Sequence, residues 1–139
     1  MAQAVREIMT ANPDSLPASA SLLEAARKMR DNDIGSVVVT DNGSICGIVT
    51  DRDLSIRAIA DGKDPKKTKL GEICSRSLKT LSPDDEAETA VKLMREQAIR
   101  RLPVVQDGQA VGIVSLGDLA MKRDRESALA DISAAPPNR

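Results

Sequence analysis

The sequence predicts an α/β fold, of the α+β kind, built as two β-α-β-β-α units in tandem. Three observations lead there. The chain repeats itself at a constant offset of 65 without gaps: Glu7/Glu72, Ile8/Ile73, Leu16/Leu81, Ala25/Ala90, Met29/Met94, Ile34/Ile99, Val39/Val104, Gly43/Gly108 and Leu54/Leu119 are among the identities. Each copy carries a stripe at helical spacing followed by two β-branched runs with a turn between them. Each copy then runs from strand to sharp stop to helix: Gly47-Ile48-Val49-Thr50-Asp51-Arg52-Asp53-Leu54, and Gly112-Ile113-Val114-Ser115-Leu116-Gly117-Asp118-Leu119. The repeats place a first domain at 5–62, a linker at 63–69, a second domain at 70–125 and a tail at 126–139.

The elements follow in order. Val5–Thr10 and Leu70–Ser75 read as short helical leads, each followed by an extended piece ending near Leu16 or Leu81. Ser21-Leu22-Leu23-Glu24 is a capping box, and Leu22, Ala25, Ala26 and Met29 fall on one helical face. In the second copy Pro83-Asp84-Asp85 opens the helix, and Ala87, Ala90, Val91 and Met94 form the stripe. The strands are Ser36–Thr40 with Ile45–Thr50, and Leu102–Gln106 with Ala110–Ser115. Asn42-Gly43 and Asp107-Gly108 between them are hairpin signals. A final helix starts at Asp51 or Leu116. The stretch 61–69, with its glycine, proline and lysines, reads as an exposed linker rather than a nucleic-acid patch. The tail starts helical through Leu129 and Ile132 and stops at Pro136-Pro137.

Composition excludes several functions. With no histidine among 139 residues, a histidine-based catalytic unit or metal site is out. With no aromatic residue, no base can stack on a ring. A net charge of −1 leaves no nucleic-acid footprint. No apolar run approaches a membrane span and no signal peptide is visible, so the expected setting is the cytoplasm. Cys46 and Cys74 match no metal or redox spacing and read as buried thiols.

The duplicated unit, with Gly-Ile-Val-Thr-Asp-Arg-Asp-Leu and Arg101-Leu102-Pro103-Val104-Val105, resembles the CBS domain (cystathionine-β-synthase motif) in a tandem pair. The resemblance spans 5–123. It is closest in kind to stand-alone bacterial CBS-pair proteins, some linked to hypoxic or stress responses. The second motif is also similar to repeats in the gamma subunit of AMP-activated protein kinase. The resemblance implies two units about a pseudo-twofold axis, with adenosine derivatives (AMP, ADP, ATP or S-adenosylmethionine) held in clefts between them. By the same resemblance Asp53 and Asp118 would hold ribose hydroxyls, and Thr50 and Ser115 would meet ribose or phosphate. Val38, Val39, Pro103 and Val104 would flank the base, and the backbone near Ser15-Leu16 and Thr80-Leu81 would face the adenine edge. Arg101, with Arg100, would reach the phosphate of a nucleotide held by Thr50 and Asp53.

Each of these residues also has a purely structural reading. Thr50-x-x-Asp53 and Ser115-x-x-Asp118 have capping-box spacing, although both carry Asp where Glu or Gln is preferred. Arg52 reads as a solvated first-turn residue or as a phosphate contact. Pro103 belongs at a sheet edge or bulge. Arg100-Arg101 stand where the first copy has Gly35-Ser36, and arginines at a helix end are favoured by the dipole alone.

Two functions stay open: a regulatory adenosine-binding module with no required cofactor, or a ligand-free interaction scaffold. An enzyme is disfavoured, because no nucleophile–base pair is in view. The apolar residues Leu54, Ile56, Ala58, Ile59 and Ala60 predict a homodimer. An effector protein is an expected partner of unknown identity.

Overall fold

The computed structural model describes residues 3–74 and 79–123. The predicted tail helix and its Pro136-Pro137 stop lie outside the described residues. The chain divides into two compact units that do not follow the sequence repeats. The central unit is 14–78; the terminal unit joins 1–13 to 79–139. The repeat boundaries at 5–62 and 70–125 therefore differ from the packing boundaries, because each repeat's lead segment packs on the other repeat.

In the central unit, β2 (Ser15–Pro17) runs parallel to β3 (Ser36–Asp41), which pairs antiparallel with β4 (Ser44–Thr50). Helix α2 (Leu22–Asn32) begins at the predicted box: Glu24 N–H donates to Ser21 Oγ at 3.1 Å. Its Leu22, Ala25 and Met29 are buried, whereas Ala26 is exposed and not part of the stripe. The second repeat's lead, a 3₁₀ turn at Leu70–Glu72, completes this core. Leu70 N–H donates to Ala20 O at 2.9 Å and Leu22 N–H to Thr68 O at 3.1 Å. Cys74 is buried here, while Cys46 is half-buried.

In the terminal unit, α1 (Val5–Ile8) and β1 (Thr10–Ala11) come from the first repeat. Val5 and Ile8 are fully buried against α4 (Ala87–Gln97), β5 (Arg101–Gln106) and β6 (Gln109–Ser115). β1 pairs antiparallel with β6, Thr10 with Ile113 and Ala11 with Gly112, giving the order β1-β6-β5. A Cβ at Gly112 would lie 2.4 Å from Met9 Sδ and 3.1 Å from Thr10 O, so Met9 would have to shift to admit one. Met94 is buried as expected. Pro83-Asp84-Asp85 does not open the helix. It forms a turn in which Ser82 N–H donates to Asp85 Oδ2 at 2.8 Å, and α4 starts at Ala87.

Both hairpins turn as their sequences predict. Asn42 and Gly43 have φ of 53° and 83°, Asp107 and Gly108 of 54° and 78°, the pairs of positive values a type I′ turn needs. Both carry a register shift at the same place, Val39/Thr40 and Val104/Val105.

Candidate functional site

Each second hairpin strand stops at a hydroxyl residue and passes directly into a helix. The helical lengths differ. In the central unit α3 (Asp51–Asp53) continues as a π-helix, Leu54–Ile59, with Ala60 N–H bonded to Ser55 O at 3.0 Å. In the terminal unit α5 (Leu116–Arg123) is α-helical. The two stops are held alike by the residues just before β3 and β5. Asp51 N–H donates to Gly35 O at 3.0 Å, and Leu116 N–H to Arg100 O at 2.9 Å.

At both stops the capping reading holds. Thr50 N–H donates to Asp53 Oδ2 at 2.9 Å, and Asp53 N–H to Thr50 Oγ1 at 3.1 Å. Ser115 N–H donates to Asp118 Oδ2 at 2.9 Å, and Asp118 N–H to Ser115 Oγ at 3.1 Å. Asp reaches the backbone here despite being shorter than Glu, because the extended cap brings its own N–H close. Since Oδ2 makes the cap, Oδ1 of each acid is left for another donor. What faces Oδ1 differs. Arg57 Nε lies 3.6 Å from Asp53 Oδ1 and its Nη1 donates to Ile73 O at 3.3 Å. Thr10 Oγ1 donates to Asp118 Oδ1 at 3.3 Å.

The other expected site residues separate by strand period. Val39 and Val104 point into the cores of their own units. Val38 and Pro103, one position back and so on the opposite sheet face, are buried but stand outside both core clusters. Leu81 is buried in the terminal core, where its N–H donates to Pro103 O and its carbonyl accepts from Val105 N–H. Leu16 is half-buried against the central core, while Ser15 and Thr80 are exposed.

Arg52 and Arg100 are exposed and Arg101 is half-buried. The register sets Arg101 directly opposite Ser115 on β6, as it sets Ser36 opposite Thr50 on β4. Opposed Cβ atoms in such a pair are about 5 Å apart. The guanidinium therefore springs from beside the Ser115–Asp118 box of its own unit.

Sequence reasoning missed Thr10 and Arg57. Arg57 was legible, standing four residues after Asp53 on one helical face. Thr10 was not, because its contact spans 108 positions.

A CBS domain family model matches residues 5–58 and 70–124. The CBS domain-containing protein YhcV of Bacillus subtilis is 36% identical over 93% of this chain and 94% of its own length. Hypoxic response protein 1 of Mycobacterium tuberculosis is 33% identical, over 83% of this chain and 81% of its own. Among solved structures, the CBS domain pair of MJ0100 in complex with 5′-methylthioadenosine and S-adenosyl-L-methionine aligns at a TM-score of 0.82 and 26% identity, covering 91% of this chain and all of that one.

Proposed function

This chain belongs to the CBS domain family, and from that premise we propose that it is a regulatory module that binds an adenosine derivative. The observation that carries the reading is the pair of acids. Asp53 and Asp118 are pinned by their caps at Oδ2 and, among the described residues, turn Oδ1 toward one long contact each. A carboxylate fixed in this way is prepared to accept the two hydroxyls of a ribose without reordering first. Val38 and Pro103 supply aliphatic surfaces for a base in a chain without aromatic residues. Arg101 supplies a planar donor fork suited to phosphate. AMP, ADP, ATP and S-adenosylmethionine are the candidate ligands, the last supported by the MJ0100 complex. Output passes by a change of shape or partner, without catalysis, and no cofactor is required.

The test is isothermal titration with AMP, ATP and S-adenosylmethionine, first on the native protein and then on Asp53→Ala and Asp118→Ala. A hydrogen bond to a charged group contributes roughly 1.5–3 kcal/mol, so each substitution should weaken binding at its own site about tenfold or more. Deoxyribose analogues should lose a similar factor. Unchanged affinity with a less stable fold would reduce both acids to caps.

A second reading, the ligand-free scaffold, is favoured by the exposed Ile56 and Ile59, at 47% and 71%. Leu54 and Ala58 from the same stretch turn inward instead. The exposed pair fits burial against a second copy of the chain, so light scattering should return a dimer. A monomer of 14.8 kDa at micromolar concentration would count against that surface.

A further inference from the structure

We propose that the two capping acids hold the exchanged lead segments in place, and that a ligand taking Oδ1 loosens them. The inference rests on the adenosine-binding reading for its second half only. In the terminal unit the lead segment is 3–13, and Thr10 on β1 bonds to Asp118. In the central unit the lead segment is the Leu70–Cys74 stretch. Arg57 ties it to the acid by standing beside Asp53 Oδ1 while donating to Ile73 O. The two connections use different chemistry, a hydroxyl in one and a guanidinium in the other, yet both end on the oxygen that the cap leaves over. Both also end on a segment belonging by sequence to the other repeat. The chain continues from Pro13 into the central unit and from the Leu70–Cys74 stretch toward the terminal one, so these are the crossing points of the polypeptide.

Both contacts are long. The Thr10 hydroxyl is shared between Oδ1 at 3.3 Å and Oδ2 at 3.5 Å, against about 2.7–2.8 Å for a good O–H···O bond. Arg57 stands at 3.6 Å and its side chain is 52% exposed. A vicinal diol donating two short bonds to Oδ1 displaces either one. Thr10 then loses its acceptor, and Arg57 loses its place beside the oxygen that positions it over Ile73 O. β1 is retained by two residue pairs with β6 and by Asn12 N–H donating to Val111 O at 3.2 Å, while Val5 N–H donates to Asp85 O at 2.7 Å. A local opening of the lead segments follows from occupancy of the acids, and that opening is the module's output.

The experiment is amide hydrogen exchange on the full chain, read at 3–13 and 70–74, with calorimetry alongside. Thr10→Val keeps the β-branched shape and removes the hydroxyl; it should raise exchange at 3–13 about threefold, within the range of a weak polar contact. Thr10→Ser should stay native. Arg57→Gln should raise exchange at 70–74 by a similar factor and leave 3–13 unchanged. AMP, ATP or S-adenosylmethionine, whichever gives heat, should raise exchange in the lead segment of the occupied acid. In the matching variant it should add nothing further there. Native exchange in both Thr10→Val and Arg57→Gln overturns the holding role. Heat with unchanged or slower exchange at both segments overturns the release. No heat with any of the three overturns the adenosine reading and the release together, while the variants still decide the holding role.

Discussion

The flanks of the two parallel strand pairs, equal by repeat, are unequal in the structure. In the central unit Val38 N–H donates to Asp14 O at 2.9 Å and Ala18 N–H to Thr40 O at 2.8 Å, and β2 extends over three residues. In the terminal unit, among the described residues, only Leu81 bridges to Val104. The counterparts of Val38 and Ala18, 65 positions on, are Pro103 and Pro83. Neither has an N–H, so both flanking bonds are lost, and the ladder shrinks to the two bonds of Leu81. The terminal unit recovers pairing on its other side, where β1 lies against β6. Two substitutions in a duplicated sequence thus shorten one edge while leaving the fold of the unit intact.

Predictions follow from the places where the two copies part. The largest effect is expected at Gly112, whose hydrogens face Met9. Gly112→Ala drives a methyl into Met9 Sδ and toward Thr10 O. It should cost about 2 kcal/mol, as overpacking does. Denaturant titration checks this, and adding Met9→Ala should relieve part of the loss; a single substitution without effect would mean that Met9 swings aside.

Arg101→Ala should weaken AMP about fivefold more than adenosine, with the gap closing as salt rises. Titration of both ligands at two ionic strengths reads it, and equal losses would show that Arg101 shapes the site without touching phosphate. The same titration on Ser36→Arg asks whether the central unit can be given what the terminal unit has.

Ala98 ends α4 at φ 54°, where the first repeat has Asp33 at φ 54°. Left-handed backbone costs a non-glycine residue roughly 1–2 kcal/mol. Ala98→Gly should therefore stabilise by about 1 kcal/mol, less the entropy glycine adds to the unfolded chain. Asp33→Gly should do less, because short polar side chains tolerate this region better. Thermal melts rank the two. The smallest effect is expected for Pro103→Val: stability should shift by under about 0.5 kcal/mol, a restored donor offsetting a more flexible unfolded chain. Protection of the new amide at 103 would show the parallel pairing lengthening toward that of β2.

Local order was legible before any coordinates. The Ser21 box, the type I′ turns at Asn42-Gly43 and Asp107-Gly108, and the Thr50–Asp53 and Ser115–Asp118 caps all lie within four residues of chain, where propensity and short-range bonds decide. The same locality misled at Pro83-Asp84-Asp85. Helix-opening residues there make a side-chain turn instead, and the helix waits for Ala87.

The sequence by itself determined the duplication, the elements of each copy and the residues that form the two acid boxes. It did so because periodicity, caps and turns are written in neighbouring residues. Only the tertiary structure decided which core each lead segment enters, which of Val38 and Val39 faces inward, and what meets the spare carboxylate oxygen. Equivalent sequences offer Val5 and Ile8, or Leu70 and Ile73, the same apolar surface in either repeat. The choice rests on packing and on contacts such as Thr10 with Asp118, made between residues 108 positions apart.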